Sequence, residues 1–139
     1  GCHRIEVMTH LLGPVAKAES VLENSLYDER EVEDNAAALL RFDSGAIGML
    51  CVSNAVQEPG DTLDVYGSRG SVHVAVLNEG GMRVWTRDGE RTEEHPPHAN
   101  IHQPLIEDFT RAVLEGREPQ VTGRVGLEVQ LILDEIYGW

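Results

Sequence analysis

Three of the six histidines, His95, His98 and His102, fall within the segment "HPPHANIH". Imidazole is the commonest metal ligand and the side chain that ordinarily titrates closest to neutral pH, so chemistry is sought here first. A zinc site needs three or four donors converging at about 2 Å. Pro96 and Pro97 prevent a regular helix through the first pair. The segment itself holds no acidic or cysteine donor to complete the set. No metal is assigned. His102 has a different promise. Pro104 is favoured at the first position of a helix, which sets Glu107 and Asp108 in the first turn. His102 is then expected just before a helix N-terminus, where it can border a pocket for an anion or a polyol.

His3 and Glu6 are the second candidate pair. They stand three apart in "CHRIEVMTHLL" and share a face if that segment is helical. A histidine beside a carboxylate is suited to general acid–base work. The same spacing also makes ordinary structural ion pairs, and by spacing alone both readings stand. "GSRGS", Gly67 to Ser71, invites comparison with a phosphate loop. It lacks the G-x-G-x-x-G spacing and joins two strand-like runs, so it is read as a hairpin turn. No dinucleotide fingerprint is found in the chain, and no lysine stands in a P-loop context.

These residues are carried by a chain of 139 residues, long enough for one domain, 1–139, with a real core. Its net charge of −13, with 11 Lys and Arg, argues against nucleic acid or an anionic membrane surface as a partner. No apolar run approaches the ~20 residues that span a bilayer. No secretory leader pattern is seen. Two cysteines, Cys2 and Cys51, make no disulfide framework. Cys51, in "GMLCVSN", is expected to be a buried small hydrophobe. A reducing, cytoplasmic location is expected. The chain opens on Gly1 and enters a helix at once, which suggests a piece of a longer protein.

Periodicity supplies the elements. Ile5, Met8, Leu11 and Leu12 have helical spacing over Cys2 to Leu12, and Gly13-Pro14 ends the helix. Val15 to Leu26 reads as a strand. "VEDNAAALLRFDSGAIGMLCVSNAV" is a hairpin turning at Asp43-Ser44-Gly45. A second hairpin follows, "DTLDVYG", "SRG", "SVHVAVL", with Leu63, Val65, Val72, Val74 and Val76 alternating. A third turns at Asp88-Gly89. From Pro104 the period becomes helical, with Leu105, Ile106, Phe109, Ala112 and Val113 on one face. A last helix runs from about Thr122 to Tyr137. Segregated strands and helices give an α+β class. The expectation is a large, mostly antiparallel open sheet with helices packed on one face, its other face solvated or covered by a partner.

The series "GCHRIEVMTHLLG", "VEDNAAALLRFDSGAIGMLCVSNA", "DTLDVYGSRGSVHV" and "HQPLIEDFTRAVLEGREPQVTGRVGLEVQLILDEIY" resembles, in order and over nearly the whole chain, the C-terminal domain of the Gfo/Idh/MocA family. The resemblance implies NAD(P)-dependent oxidoreductases acting mainly on sugars, inositols and related polyols. It implies an N-terminal Rossmann domain that holds NAD or NADP in the parent enzyme, with no cofactor bound by this chain alone. It also implies an open sheet face used in homo-oligomer contacts. The family often places a histidine in an H-x-x-D pattern near the substrate hydroxyl. His3 takes the histidine position and Glu6 the aspartate position, one methylene longer. His3 is thereby implied as a catalytic residue, and His3, Glu6 and His102 as substrate-binding. The family's catalytic aspartate would fall before Gly1, and its catalytic lysine belongs to the Rossmann domain. The other reading is a free-standing binding or assembly module with the same fold and no catalysis.

Overall fold

Hydrophobic alternation becomes paired strands wherever a turn lets the chain reverse. The computed structural model describes residues 1–138. Their elements are α1 (Cys2–Leu12), β1 (Val15–Glu23), β2 (Asn35–Phe42), β3 (Ile47–Ser53), β4 (Leu63–Gly67), β5 (Gly70–Val74), β6 (Gly81–Thr86), β7 (Gly89–Glu94), α2 (Gln103–Glu115) and α3 (Gly123–Tyr137). The α+β class and the open antiparallel sheets are as the sequence implies. The strands are divided between two sheets, β1-β2-β3 and β4-β5-β6-β7. The chain correspondingly forms two compact units, Gly1–Gln57 with Val121–Trp139, and Glu58–Gln120.

In the first unit, β2 pairs antiparallel with both β1 and β3. Residues alternate across the pleat. Ala18, Ala38, Leu40 and Phe42 turn inward to meet Ile5 and Met8 of α1 and Val129, Ile132 and Ile136 of α3 in one core. Both helices of this unit therefore cover one face of the sheet. Gly48 keeps that face shallow beneath α1, for a Cβ there would stand 2.2 Å from the Met8 terminal methyl. Polar contacts tie the C-terminal helix down. Ser20 Oγ donates to the Ile136 carbonyl at 2.5 Å, and Glu135 accepts the Ala18 N–H at 3.0 Å. Tyr137 donates to Glu33 at 2.5 Å, a bond that raises its hydroxyl pKa above the ordinary value.

The opposite face of this sheet carries Val21, Leu39, Ile47 and Met49, all exposed. Cys51 belongs there too and is exposed, contrary to the burial expected of it. Its strand is apolar on both faces, and Gly48 and Leu50 are the residues turned inward.

β1 stops at Glu23, short of the expected Leu26. Asp34, 2% exposed, accepts the backbone N–H groups of Ser25, Leu26 and Tyr27 at 2.7–3.1 Å and the Asn35 amide at 2.6 Å. A carboxylate that holds three amides bends the chain away from the ladder. The same amides, Ser25 foremost, lower the Asp34 pKa. A lowered folded-state pKa adds stability above the unfolded value of about 3.9, and that stability is lost as pH falls through the folded value. Asp34→Asn should therefore lower the urea midpoint at neutral pH and flatten its decline below about pH 4. Unchanged acid dependence in urea titrations would count against this role.

In the second unit, β4 to β7 form an antiparallel meander. Val74 and Val84 are buried on one face of it, and Ala112 of α2 is also buried. The other face presents Asp64, Tyr66, His73, Arg83 and Trp85 beside Ser71. Asp64 bonds His73 Nδ1 at 2.5 Å, and the Arg83 guanidinium lies 5.0 Å from the Trp85 ring centroid. Gly80, at φ +82°, sits so close to the His95 carbonyl that no side chain fits.

α2 begins at Gln103, one residue before the expected start, with Pro104 inside its first turn and His102 as the N-cap. Glu107 and Asp108 consequently lie beyond the first turn and are not placed to offset the helix dipole. Asp108 instead accepts the Gln120 N–H at 2.7 Å and an Arg117 bond at 2.8 Å, which fastens the exit of α2 and lowers the Asp108 pKa. Among the described residues no helix is long and apolar enough to cross a membrane.

Candidate functional site

The first turn of α1 emerges from Gly1, whose carbonyl receives the N–H groups of Arg4 and Ile5. Ile5 is fully buried and Met8 nearly so, which fixes how α1 lies on the sheet. With those two pointing down, His3 and Glu6 are turned sideways toward α3. Together with Cys2 they line one side of a recess of about 280 Å³. Val121 and the α3 residues Val125, Gly126, Val129, Gln130 and Leu133 complete it. The recess lies wholly within the first unit.

Its chemistry is sharply divided. The α3 wall is apolar except for Gln130, which is held by Asp134 at 2.7 Å. The α1 wall offers an imidazole, a carboxylate and a thiol. The recess is open to solvent, with a largely apolar surface and a few polar groups at one side. Among the described residues no hydrogen bond joins His3 to Glu6, so each can meet a ligand hydroxyl. The H-x-x-E spacing was legible in sequence. Cys2 and Gln130 were not singled out, because only the packing of α1 on α3 brings positions so far apart in the chain to one recess.

His102 lies in the second unit. Its side chain makes no capping bond, while its carbonyl accepts the Ile106 N–H at 3.2 Å. The other histidines of the cluster are separately engaged. His95 Nε2 contacts Glu93 at 3.0 Å, and that bond is the main cause of the lowered Glu93 pKa. His98 Nδ1 faces the Asn100 carbonyl at 3.1 Å. Among the described residues, no group of three His, Cys, Asp or Glu side chains is arranged to hold a metal ion. The Gly67–Gly70 turn joins β4 to β5. It therefore presents no helix N-terminus to a pyrophosphate.

Residues 1–138 match a family model described as the C-terminal alpha/beta domain of an oxidoreductase family, GFO_IDH_MocA_C. No curated protein matches the chain. Solved structures do. An aldose-aldose oxidoreductase from Caulobacter crescentus, complexed with glycerol, is 26% identical with a TM-score of 0.86, over 99% of this chain and 43% of that one. A levoglucosan dehydrogenase with NADH and levoglucosan is 21% identical with a TM-score of 0.84, over 99% and 45%. An oxidoreductase from Agrobacterium radiobacter, with NAD+, L-tartaric acid and magnesium, is 19% identical with a TM-score of 0.83, over 99% and 44%. The chain spans less than half the length of each.

Proposed function

The chain belongs to the Gfo/Idh/MocA oxidoreductase family as its C-terminal domain, and we propose that it supplies the substrate-binding and oligomerising part of an NAD- or NADP-dependent enzyme that acts on a sugar, inositol or related polyol. The carrying observation is the recess that His3 and Glu6 share against the apolar wall of α3. The names of the similar structures, with glycerol or levoglucosan bound, support a polyhydroxylated substrate.

Oxidation of a secondary alcohol removes a hydride from carbon and a proton from oxygen. The nicotinamide, held by the rest of the protein, accepts the hydride. This chain's part is the proton and the substrate's position. His3 accepts the hydroxyl proton or passes it on, and it is the residue assigned a catalytic role. Glu6, beside it, orients a substrate hydroxyl. His102, at the N-terminus of α2 in the second unit, is proposed as substrate-binding, independently of the recess on α1.

The test compares the whole polypeptide with this chain alone. The whole protein should reduce NAD+ or NADP+ with some member of a sugar and polyol panel, and the isolated chain should neither do so nor bind the nucleotide. Polyol binding by a whole protein without nucleotide affinity would instead establish a non-catalytic binding module.

Oligomerisation is assigned to the outward face of β1-β2-β3. Leu39 and Met49 are directly opposed in register, with Val21 and Ile47 nearby. An exposed apolar patch of that kind marks an interaction surface, and a flat sheet can pair with its own copy about a two-fold axis. Met49→Glu should lower the mass measured by light scattering at micromolar concentration, with the thermal midpoint shifted by no more than a few degrees. An unchanged mass would remove this face from the interface.

A further inference from the structure

The outward face of the β4-β5-β6-β7 sheet is laid out as a grid. Strand pairing sets Asp64, His73 and Arg83 side by side in one row, and Tyr66, Ser71 and Trp85 side by side in the next. These six residues line one open recess of about 340 Å³. Ser71, the smallest of them, parts the two aromatic residues. Tyr66 and Trp85 therefore stand two strand spacings apart, roughly 9.6 Å between backbones, and their side chains rise from the sheet on either side of a notch. The other row is polar and only half engaged. Asp64 holds His73 Nδ1 at 2.5 Å, which leaves its second carboxylate oxygen and His73 Nε2 without a partner among the described residues. The Arg83 guanidinium lies 5.0 Å from the Trp85 ring centroid and makes no ion pair among the described residues.

We propose that this face binds a pyranose, a six-membered sugar ring, at a site that shares no residue with the recess on α1. The ring sits over Ser71 with its C–H faces against Tyr66 and Trp85, and its hydroxyls meet Asp64, His73 and Arg83. Three features choose this ligand. A hydroxyl both donates and accepts, so neighbouring hydroxyls can satisfy a carboxylate, an imidazole nitrogen and a guanidinium set side by side. The notch is wide. A flat base between two rings needs only two carbon contacts, about 7–8 Å in all, whereas a puckered saturated ring with its axial hydrogens fills more. An acyclic polyol offers the hydroxyls but no rigid face for the aromatic rings. Finally, Asp64 and Arg83 offset each other across the row, which suits a neutral ligand better than a phosphate or an amine. The site belongs to the second unit alone, so it does not depend on the dehydrogenase reading of the first.

The experiment uses the whole polypeptide carrying fluorinated tryptophan. The Trp85 resonance, identified by its loss in Trp85→Phe, is followed during titration with the methyl glycosides of glucose, galactose and mannose. At least one glycoside should move it saturably, with a Kd in the millimolar range, while mannitol should leave it in place. Tyr66→Ala should weaken that binding about tenfold, through the loss of one aromatic contact and its buried area. Tyr66 is 82% exposed, so its removal spares the fold. His3→Ala should leave the Kd unchanged. A Trp85 resonance that no glycoside moves overturns the proposal, and a response to adenosine in place of the glycosides overturns it in favour of a flat base. Loss of the response in His3→Ala overturns it by moving the sugar to the recess on α1. An unmoved resonance together with a lowered mass for Tyr66→Ala in light scattering overturns it in favour of a second copy seated on this face.

Discussion

His3→Ala in the whole polypeptide is expected to lower kcat by about 10²- to 10⁴-fold, the usual contribution of a positioned acid–base group. The substitution removes the imidazole from the α1 wall of the recess and leaves the apolar α3 wall intact. Affinity for NAD(P)+ should not change, because no residue of this chain is assigned to the nucleotide. The split between kinetic constants tells the role. A proton acceptor acts in the transition state, so kcat falls and KM holds. A group that only anchors a hydroxyl in the ground state raises KM and leaves kcat alone. Glu6→Gln keeps the shape of its neighbour and should cost less in kcat than loss of the imidazole. A His3→Ala enzyme with unmodified kcat and KM would strip the recess of its catalytic assignment.

Phe42→Ala should destabilise the first unit by about 3–5 kcal/mol, through lost burial plus the cavity left behind. Phe42 is 2% exposed and lies in the core that holds α1 and α3 on the sheet. Its ring stands beneath the place where Gly48 and the Met8 methyl approach each other. A loss of that size is a large share of the roughly 5–15 kcal/mol available to a whole domain. Phe42→Leu keeps most of the volume and should cost under about 1.5 kcal/mol. Urea titration of both variants checks the ranking. The consequence reaches the site, since α1 carries His3 and Glu6 on the helix turns that Ile5 and Met8 anchor. Phe42→Ala should therefore also raise KM for the sugar or polyol where folded protein remains. Equal midpoints for the two variants would mean that the ring is not part of the core's support.

Much was legible before any packing was seen. The helical spacing of Ile5 and Met8, the glycine turns between strands and the change of period at Pro104 are local signals, and they placed the elements to within a few residues. The H-x-x-E pair was legible for the same reason, since residues three apart on a helix share a face whatever surrounds them. The ordered motifs from "GCHRIEV" to "DEIY" carried the family. Local signals failed where two answers were locally equal. The β3 sequence "IGMLCVS" is apolar on both faces, so its alternation could not say that Gly48 and Leu50 turn inward while Met49 and Cys51 turn out. The start of α2 depended on the backbone turning helical at His102 and Gln103, ahead of Pro104, although a residue before proline is biased away from helix. The end of β1 depended on Asp34, nine residues beyond Ser25, taking three amides at once.

What the sequence determined by itself was the kind of each element, the α+β class and the identity of the residues able to do chemistry. Only the tertiary structure divided the strands between two sheets, set His3 and Glu6 against a wall from α3, and left Ile106, Phe109 and Val113 uncovered on α2. Those outcomes hang on contacts such as Ala18 with Glu135, which are 117 positions apart. Periodicity reports which face of an element is apolar, but what that face packs against is chosen by the free energy of burying all such faces together.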